Sequence, residues 1–224
     1  MNRTLKATAV LMLIMVFAVS CTKPENSSNS VSISGNFGYH DYVDLGWPSG
    51  TLWATCNVGA NLPEDYGDYY AWGERYRKID FYWENYKFGM YGREKYCKDD
   101  GLLVLEAEDD VVQCRWHFGW CMPTKAQWEE LIRNTSSIVT TLNGVQGRLF
   151  TASNGNSLFL PATGLIESED PHFGNYWSNT VAVDELEETS WTRAWEFWFD
   201  GNQYHLSAFD RCFGFTIRPV HPAE

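Results

Sequence analysis

Runs of β-branched and aromatic residues recur along the chain, each four to eight residues long and separated by turn residues. Runs of this kind are typical of β-strands. Two dipeptides beside such runs, Asn154-Gly155 and Asp200-Gly201, tolerate the positive φ that tight hairpins require. We therefore expect antiparallel strands joined by hairpins, over residues 42–45, 51–55, 68–72, 148–151, 157–160, 195–199 and 213–220.

One helix is signalled near the middle of the chain. Thr124 is followed three residues later by Gln127, which is the spacing of a capping box. Apolar residues then recur at helical spacing. The residues that form this predicted buried stripe are Trp128, Leu131 and Ile132.

A second helix is predicted over residues 108–116, where Val111, Val112 and Trp116 can share one buried face. Acidic residues at its start favour the amino-terminal turn through the helix dipole. Many short strands with two helices indicate an α+β fold with antiparallel sheets.

The first twenty residues are similar to a bacterial lipoprotein signal. A short basic start precedes an apolar run over 7–19, which is too short to span a bilayer because a spanning helix needs about 20 apolar residues. The run leads into Ala18-Val19-Ser20-Cys21, which resembles a lipobox, so we expect cleavage before Cys21 and lipidation of its thiol. An ordinary signal peptide followed by an incidental cysteine is the alternative.

The rest of the chain divides into a tether and one domain. Residues 21–34 are polar and rich in Ser and Asn, a composition that predicts a flexible linker after the lipidated cysteine. Residues 35–224 show even composition and predict a single domain. Attached through its lipid, the protein is expected at the outer membrane and facing the cell surface, although a periplasmic orientation remains open.

Composition excludes two classes of protein. Hydrophobic residues make up 44% of the chain and aromatic residues 16%, which is too much for a disordered chain. The net charge is −12, from 17 Lys and Arg against 29 Asp and Glu, so the chain lacks the basic surface that binds phosphate backbones. We expect no nucleic-acid partner.

No metal or cofactor site is predicted. The chain has no Cys-x-x-Cys and no His spacing that suits zinc. Its two acidic clusters lack the alternating pattern of a calcium loop and are interpreted as solvated surface. The clusters are Glu106, Glu108, Asp109 and Asp110, and Asp184, Glu185, Glu187 and Glu188.

Six segments, taken in order, resemble one known family. They are DLGWPSGTLWATCNVGA (44–60), YAWGE (70–74), CMPT (121–124), FLPA (159–162), YWS (176–178) and GFTIRPV (214–220). Together they are similar to the Fibrobacter succinogenes major paralogous domain, which is abundant in lipoproteins of Bacteroidetes. The resemblance implies a C-type-lectin-like fold, related to that of formylglycine-generating enzymes, with two helices and twisted antiparallel sheets.

The resemblance also suggests a disulfide pattern. Cys121 stands where the family usually has arginine, and Cys212 lies just before the closing motif. Two unusual cysteines in an exported chain suggest the pairs Cys121–Cys212 and Cys97–Cys114, with Cys56 buried and free. Spacing alone leaves the pairing open, and five unpaired thiols are the alternative.

Catalysis has little support in the sequence. The short motifs with which lectins of this fold bind calcium and sugar are absent, and so is a G-x-S-x-G elbow. An oxidase like the formylglycine-generating enzymes needs reactive cysteines near the carboxyl end, where only Cys212 lies. We expect a protein that is not an enzyme.

The candidate binding segment lies near the carboxyl end. Related proteins of the fold use these strands and loops as a ligand platform. Along 195–199 aromatic residues alternate, so that one face can enter the core while the other presents polar and aromatic groups. Aromatic residues mixed with short polar ones are typical of binding loops, although these rings can instead complete the core. The expected ligand-binding residues are Glu196, Trp198, Tyr204, His205, Ser207, Phe209, Asp210 and Arg211.

These features predict a lipid-anchored surface protein that recognises a protein, peptide or glycan without catalysis. A structural subunit of a surface assembly, such as a stalk or pilus-tip component, is the alternative. An oxidase related to formylglycine-generating enzymes is the third interpretation.

Overall fold

The computed structural model describes residues 31–166, 172–183 and 190–223. It shows two α-helices and ten strands in these ranges. The helices are α1 (Val111–Trp116) and α2 (Lys125–Asn134). The strands are β1 (Gly35–Phe37), β2 (His40–Asp44), β3 (Leu52–Ala54), β4 (Thr135–Leu142), β5 (Val145–Ala152), β6 (Ser157–Pro161), β7 (Gly174–Val181), β8 (Arg193–Phe199), β9 (Tyr204–Asp210) and β10 (Val220–His221).

The strands form three antiparallel sheets. The first has the order β1-β2-β3-β10, the second β4-β5-β6 and the third β7-β8-β9. The fold is therefore mixed α+β and mostly β. No helix within the described ranges has the length and apolar character that crossing a bilayer requires.

The third sheet lies between two hydrophobic clusters. On β7, Trp177 belongs to the cluster that we call the first, and its neighbour Tyr176 belongs to the second. On β8, Ala194 belongs to the first cluster, whereas Phe197 and Phe199 belong to the second. Successive side chains of a strand point to opposite faces, so the alternating aromatic pattern gives each cluster one face of this sheet.

Local sequence signals predicted both helices. Before α2, the Thr124 hydroxyl accepts from the Gln127 backbone N–H and the Gln127 side chain accepts from the Thr124 N–H, which completes the capping box. Helix α1 begins at Val111, three residues later than expected, because the Asp110 carboxylate caps it by accepting from the backbone nitrogens of Val112 and Gln113. The buried residues of α1 are Val111, Val112 and Trp116, as predicted.

Two predicted strands do not form ladders. In 68–72, the backbone N–H of Asp68 donates to Val58, whereas those of Tyr70 and Trp72 donate to the segment 211–215, where only an isolated bridge forms. In 213–220, only Val220 belongs to a strand. These segments are apolar because they pass through the interior, and scattered backbone partners satisfy them instead of one neighbouring strand.

The hairpin turns differ in their chemistry. Gly155 takes a φ of +86° between β5 and β6, as expected. Gly201 does not have a positive φ; instead the Asp200 carboxylate accepts from the backbone nitrogens of Asn202 and Gln203. The sequence prediction overlooked Asn143-Gly144, whose φ angles of +47° and +91° close the two-residue turn between β4 and β5.

The structure contains neither expected disulfide, since all five cysteines of the described residues are free. Cys212 belongs to the first hydrophobic cluster, whereas Cys121 packs against the second. The Cys114 thiol instead lies within hydrogen-bond distance of the backbone oxygens of Ala107 and Glu108. Cys56 is free, as expected, but only partly buried.

The predicted signal peptide, Cys21 and most of the tether lie outside the described residues. The last part of the tether is bonded to the domain. The Ser32 backbone N–H donates to the Ser157 backbone oxygen at 3.2 Å, and Ser34 N–H donates to Tyr42 at 2.8 Å. Contacts with the domain therefore include residues that precede the predicted boundary at residue 35.

Candidate functional site

The face of the third sheet that carries Trp177 and Ala194 also forms, farther along its strands, a groove of about 380 Å³, which we call the sheet groove. Strand register creates it, because Asn175, Trp198 and His205 lie side by side across β7, β8 and β9, and Glu196 lies beside Ser207 in the next row. The groove is lined by Leu165, Phe173, Asn175, Glu196, Trp198, Gln203, His205, Ser207 and Phe209.

A buried carboxyl group lies on the floor of the sheet groove. Glu196 is only 1% exposed. Its Oε1 accepts a hydrogen bond of 2.8 Å from the Ser207 hydroxyl, whereas its Oε2 has no partner. Burial raises the pKa of this carboxyl from 4.5 to about 7, and the bond from Ser207 offsets only part of that effect. The group therefore titrates near neutral pH.

A second unpartnered oxygen lies in the same groove. Asn175 is 3% exposed, and its side-chain Oδ1 is buried without a hydrogen-bond partner. A buried polar atom that lacks a partner costs about 1–3 kcal/mol, so native structures rarely keep one without a reason. Glu196 Oε2 and Asn175 Oδ1 are the two buried polar atoms without a partner among the described residues that line the groove.

Aromatic rings flank these two oxygens. Trp198 is partly exposed, and its ring lies 5.0 Å from that of His205. Phe209 packs its ring against those of Phe213 and Phe215, at 4.9 and 5.1 Å, which holds it in place at the edge of the first cluster. The groove thus combines fixed apolar faces with buried acceptors, the combination that ligand sites use for area and orientation.

The structure places five of the eight predicted binding residues in the groove, and the other three outside it. Tyr204 points to the opposite face of β9, where its ring packs against Phe150 at 5.5 Å. Asp210 lies at the end of β9 and pairs with Arg193 at 3.6 Å. The residues in the groove are Glu196, Trp198, His205, Ser207 and Phe209.

Arg211 has a structural position. It is 0% exposed, and its guanidinium donates to the backbone oxygens of Gly92 at 2.8 Å and Tyr96 at 3.1 Å. The same group lies over the Trp72 ring at 5.3 Å. Arg211 therefore ties the segment around residues 92–96 to the core and is not available to a ligand in the groove.

Sequence reasoning missed Asn175, which supplies half of the polar floor. A signal for it existed, because Asn175 and Trp177 stand at alternate positions of an aromatic run. Recognising 174–181 as a strand beside β8 would have placed Asn175 next to Trp198. Leu165 and Phe173 come from a different part of the chain, and no local pattern indicates that they line this face.

The acidic cluster before α1 holds a lysine in the position that a metal would take. Oxygens of Glu106, Glu108 and Asp109 lie close enough to share one ion. The Lys95 ammonium already pairs with all three, at 2.6, 3.1 and 2.7 Å. The second predicted acidic cluster, Asp184, Glu185, Glu187 and Glu188, lies outside the described residues.

Two other cavities have no buried, unpartnered polar atom among their described lining residues. The larger, about 650 Å³, is lined by Tyr91 and Trp191 and by exposed charged groups that include Arg93, Lys98 and Asp99. The smaller, about 130 Å³, is an apolar cleft next to the sheet groove, and the two share Leu165. The sheet groove therefore offers the most specific chemistry among the described residues.

Comparisons of the chain with family models, with curated protein sequences and with solved structures find no match. The functional argument therefore depends on the groove itself.

Proposed function

We propose that this protein recognises a ligand in the sheet groove and does not catalyse a reaction. One observation carries the proposal: two buried acceptors, Glu196 Oε2 and Asn175 Oδ1, lack partners in a groove with aromatic walls. A bound molecule that donates to both oxygens relieves their desolvation cost. The candidate ligands are a protein, a peptide or a glycan.

The hydrogen bonds in the groove favour binding over nucleophilic catalysis. A catalytic serine needs a base that takes its proton, usually a histidine within hydrogen-bond reach. Here the Ser207 hydroxyl donates to Glu196, but Glu196 Oε2 has no partner, so no described group orients this carboxyl as the third member of a catalytic triad orients its base, and the described contacts of His205 include no hydrogen bond to Ser207. Ser207 therefore acts as a positioning group for the carboxylate.

The proposal also covers the cellular location of the protein and its family. The signal-like leader and Cys21 support an outer-membrane lipoprotein that faces the cell surface. The six sequence motifs between residues 44 and 220, which follow one another in the order typical of the family, support membership of the Fibrobacter succinogenes major paralogous domain family with a C-type-lectin-like fold. Pairing of β3 with both β2 and β10 supports that fold, because it brings strands from the two ends of the domain into one sheet.

A pair of tryptophans on one strand gives a matched test. Trp198 faces the groove, whereas Trp195 lies on the opposite face of β8, where the Lys125 ammonium stacks over its ring at 4.3 Å. Full-length protein in detergent is screened against glycan and peptide arrays, together with Trp198→Ala and Trp195→Ala. We expect Trp198→Ala to lose binding at least tenfold and Trp195→Ala to retain it. Equal binding by both variants would refute the site.

The apolar cleft favours a second candidate, a structural subunit of a surface assembly. Ile79 is 84% exposed and Tyr82 57% exposed beside Phe213 in this cleft. Exposed apolar patches often mark contacts with another protein. Mild cross-linking on cells tests it, since a stoichiometric companion joined next to Ile79 supports assembly, and a protein that remains monomeric argues against it.

A further inference from the structure

We propose that the sheet groove selects ligands that carry an organic cation, an ammonium or guanidinium group on an alkyl arm, and that Glu196 pairs with this cation. The inference rests on the proposed function above and specifies its ligand. It follows from the kind of polar atom that the groove leaves unpartnered.

When Glu196 is ionised, both unpartnered oxygens are acceptors, so the ligand must supply donors. Glu196 Oε2 and Asn175 Oδ1 accept, and the Ser207 hydroxyl is already committed to Glu196 Oε1. A neutral hydroxyl satisfies the hydrogen bond but leaves the carboxylate charge uncompensated in a buried place. An organic cation meets both requirements, because it donates the hydrogen bond and its positive charge neutralises the buried carboxylate.

The protein provides no cation of its own for this carboxylate among the described residues. The electrostatic influences on Glu196 are burial and the Ser207 hydroxyl, with no lysine or arginine partner. His205 is the other titratable group that lines the groove. The nearby basic residues have other contacts. Arg193, at the start of β8, pairs with Asp210 at the end of β9. Lys125 of α2 lies over the Trp195 ring on the opposite face of β8.

The walls suit an alkyl cation. Trp198, Phe173 and Phe209 line the groove with aromatic rings, whose faces attract ammonium and guanidinium groups and whose apolar surface packs against methylenes. The chain as a whole carries a net charge of −12, which raises the local concentration of cations near its surface.

A calcium ion fits this site poorly. Calcium takes about six to eight oxygen ligands, and the buried floor offers two free ones. An organic cation needs only as many acceptors as it has donors to place. Two acceptors below aromatic walls therefore match an ammonium or guanidinium group better than a metal ion.

The experiment follows the Trp198 indole N–H by NMR in full-length protein in detergent, assigned with the variant Trp198→Phe. The probes are N-acetyl-lysine methylamide, its arginine analogue, spermidine, the uncharged isostere N-acetyl-norleucine methylamide, methyl β-glucoside and calcium chloride. We expect saturable shifts of the Trp198 resonance with the three organic cations, which are the lysine probe, the arginine probe and spermidine, and with none of the other probes. Preference for the amino-acid probes assigns the cation to a protein or peptide partner, and preference for spermidine assigns it to a free polyamine.

Two variants isolate the charge. Glu196→Gln keeps the size of the side chain and should weaken cation binding at least tenfold, whereas Glu94→Gln makes the same change at an exposed position and should leave the Kd within twofold. A pH series on the unmodified protein gives a test that does not depend on whether the variants fold. Because protons compete for Glu196, the Kd for the lysine probe should fall as pH rises from 5.5 to 8, by up to about tenfold per unit below the carboxyl pKa.

Four results would overturn the inference. Equal shifts with the norleucine probe would show that charge is irrelevant, and saturable binding of calcium at Trp198 would indicate a metal site. Binding of methyl β-glucoside without the cations would retain the groove as a recognition site and remove only its cation selectivity. If no probe moves the Trp198 resonance, the cation inference is wrong, and the array screen with Trp198→Ala decides separately whether the groove binds anything.

Discussion

Replacing Glu196 by glutamine is predicted to stabilise the protein at neutral and alkaline pH and to leave its stability unchanged in acid. The pKa of this carboxyl is 4.5 when it is unperturbed and about 7 when it is buried in the folded protein. Between these values the folded state keeps a proton that the unfolded state has lost. The free energy of unfolding therefore falls as pH rises from 4.5 to 7, and the loss is complete above that range.

The size of the effect follows from the same two values. A difference of about 2.5 pKa units at about 1.4 kcal/mol per unit gives about 3 kcal/mol. Glutamine removes this dependence because it has nearly the same shape, can accept the hydrogen bond from Ser207 through its oxygen, and never ionises.

Urea unfolding of both proteins at pH values from 4.5 to 8 measures the effect. Subtracting the two curves cancels the contributions of all other titrating groups. The difference should be near zero at pH 4.5 and reach about 3 kcal/mol in favour of Glu196→Gln at pH 8. Glu94→Gln should show no such trend, since Glu94 is exposed. A difference in the free energy of unfolding that does not vary with pH, or a variant that is less stable than the unmodified protein at pH 8, would show that burial does not raise the pKa of Glu196.

Two further predictions concern the framework. Asp110→Ala should destabilise the protein by about 2–3 kcal/mol in urea unfolding, because the buried carboxylate accepts from the backbone nitrogens of Val112, Gln113 and Met122; a loss below about 0.5 kcal/mol would contradict the capping role. Thiol titration in denaturant without reductant should find five reactive thiols from Cys56 to Cys212, and reductant should leave the thermal midpoint unchanged. A count of three, or a midpoint lowered by reductant, would indicate a disulfide.

The helices and several strands could be predicted because their signals are local. The capping box at Thr124 and Gln127 involves residues one turn apart, and the turn at Asn154-Gly155 depends on its own backbone preferences. The turn at Asn143-Gly144 carried the same signal and was overlooked. These features need no knowledge of what the rest of the chain does.

The floor of the groove could not be predicted in this way. Whether Glu196 is exposed or buried depends on the register of β7 with β8 and on the segments that bring Leu165 and Phe173 to the same face. Arg211 was expected on the surface, and it is buried because the distant segment around Gly92 folds over it. Both outcomes are set by long-range packing, about which alternation along one strand carries no information.

The measurement that tests the central claim most directly is NMR mapping of the first ligand found in the array screen. If the sheet groove is the recognition site, the largest shifts will fall on the side-chain amide of Asn175 and the indole of Trp198. Shifts that cluster instead around Tyr91, Arg93 and Trp191, in the larger cavity, would contradict the account.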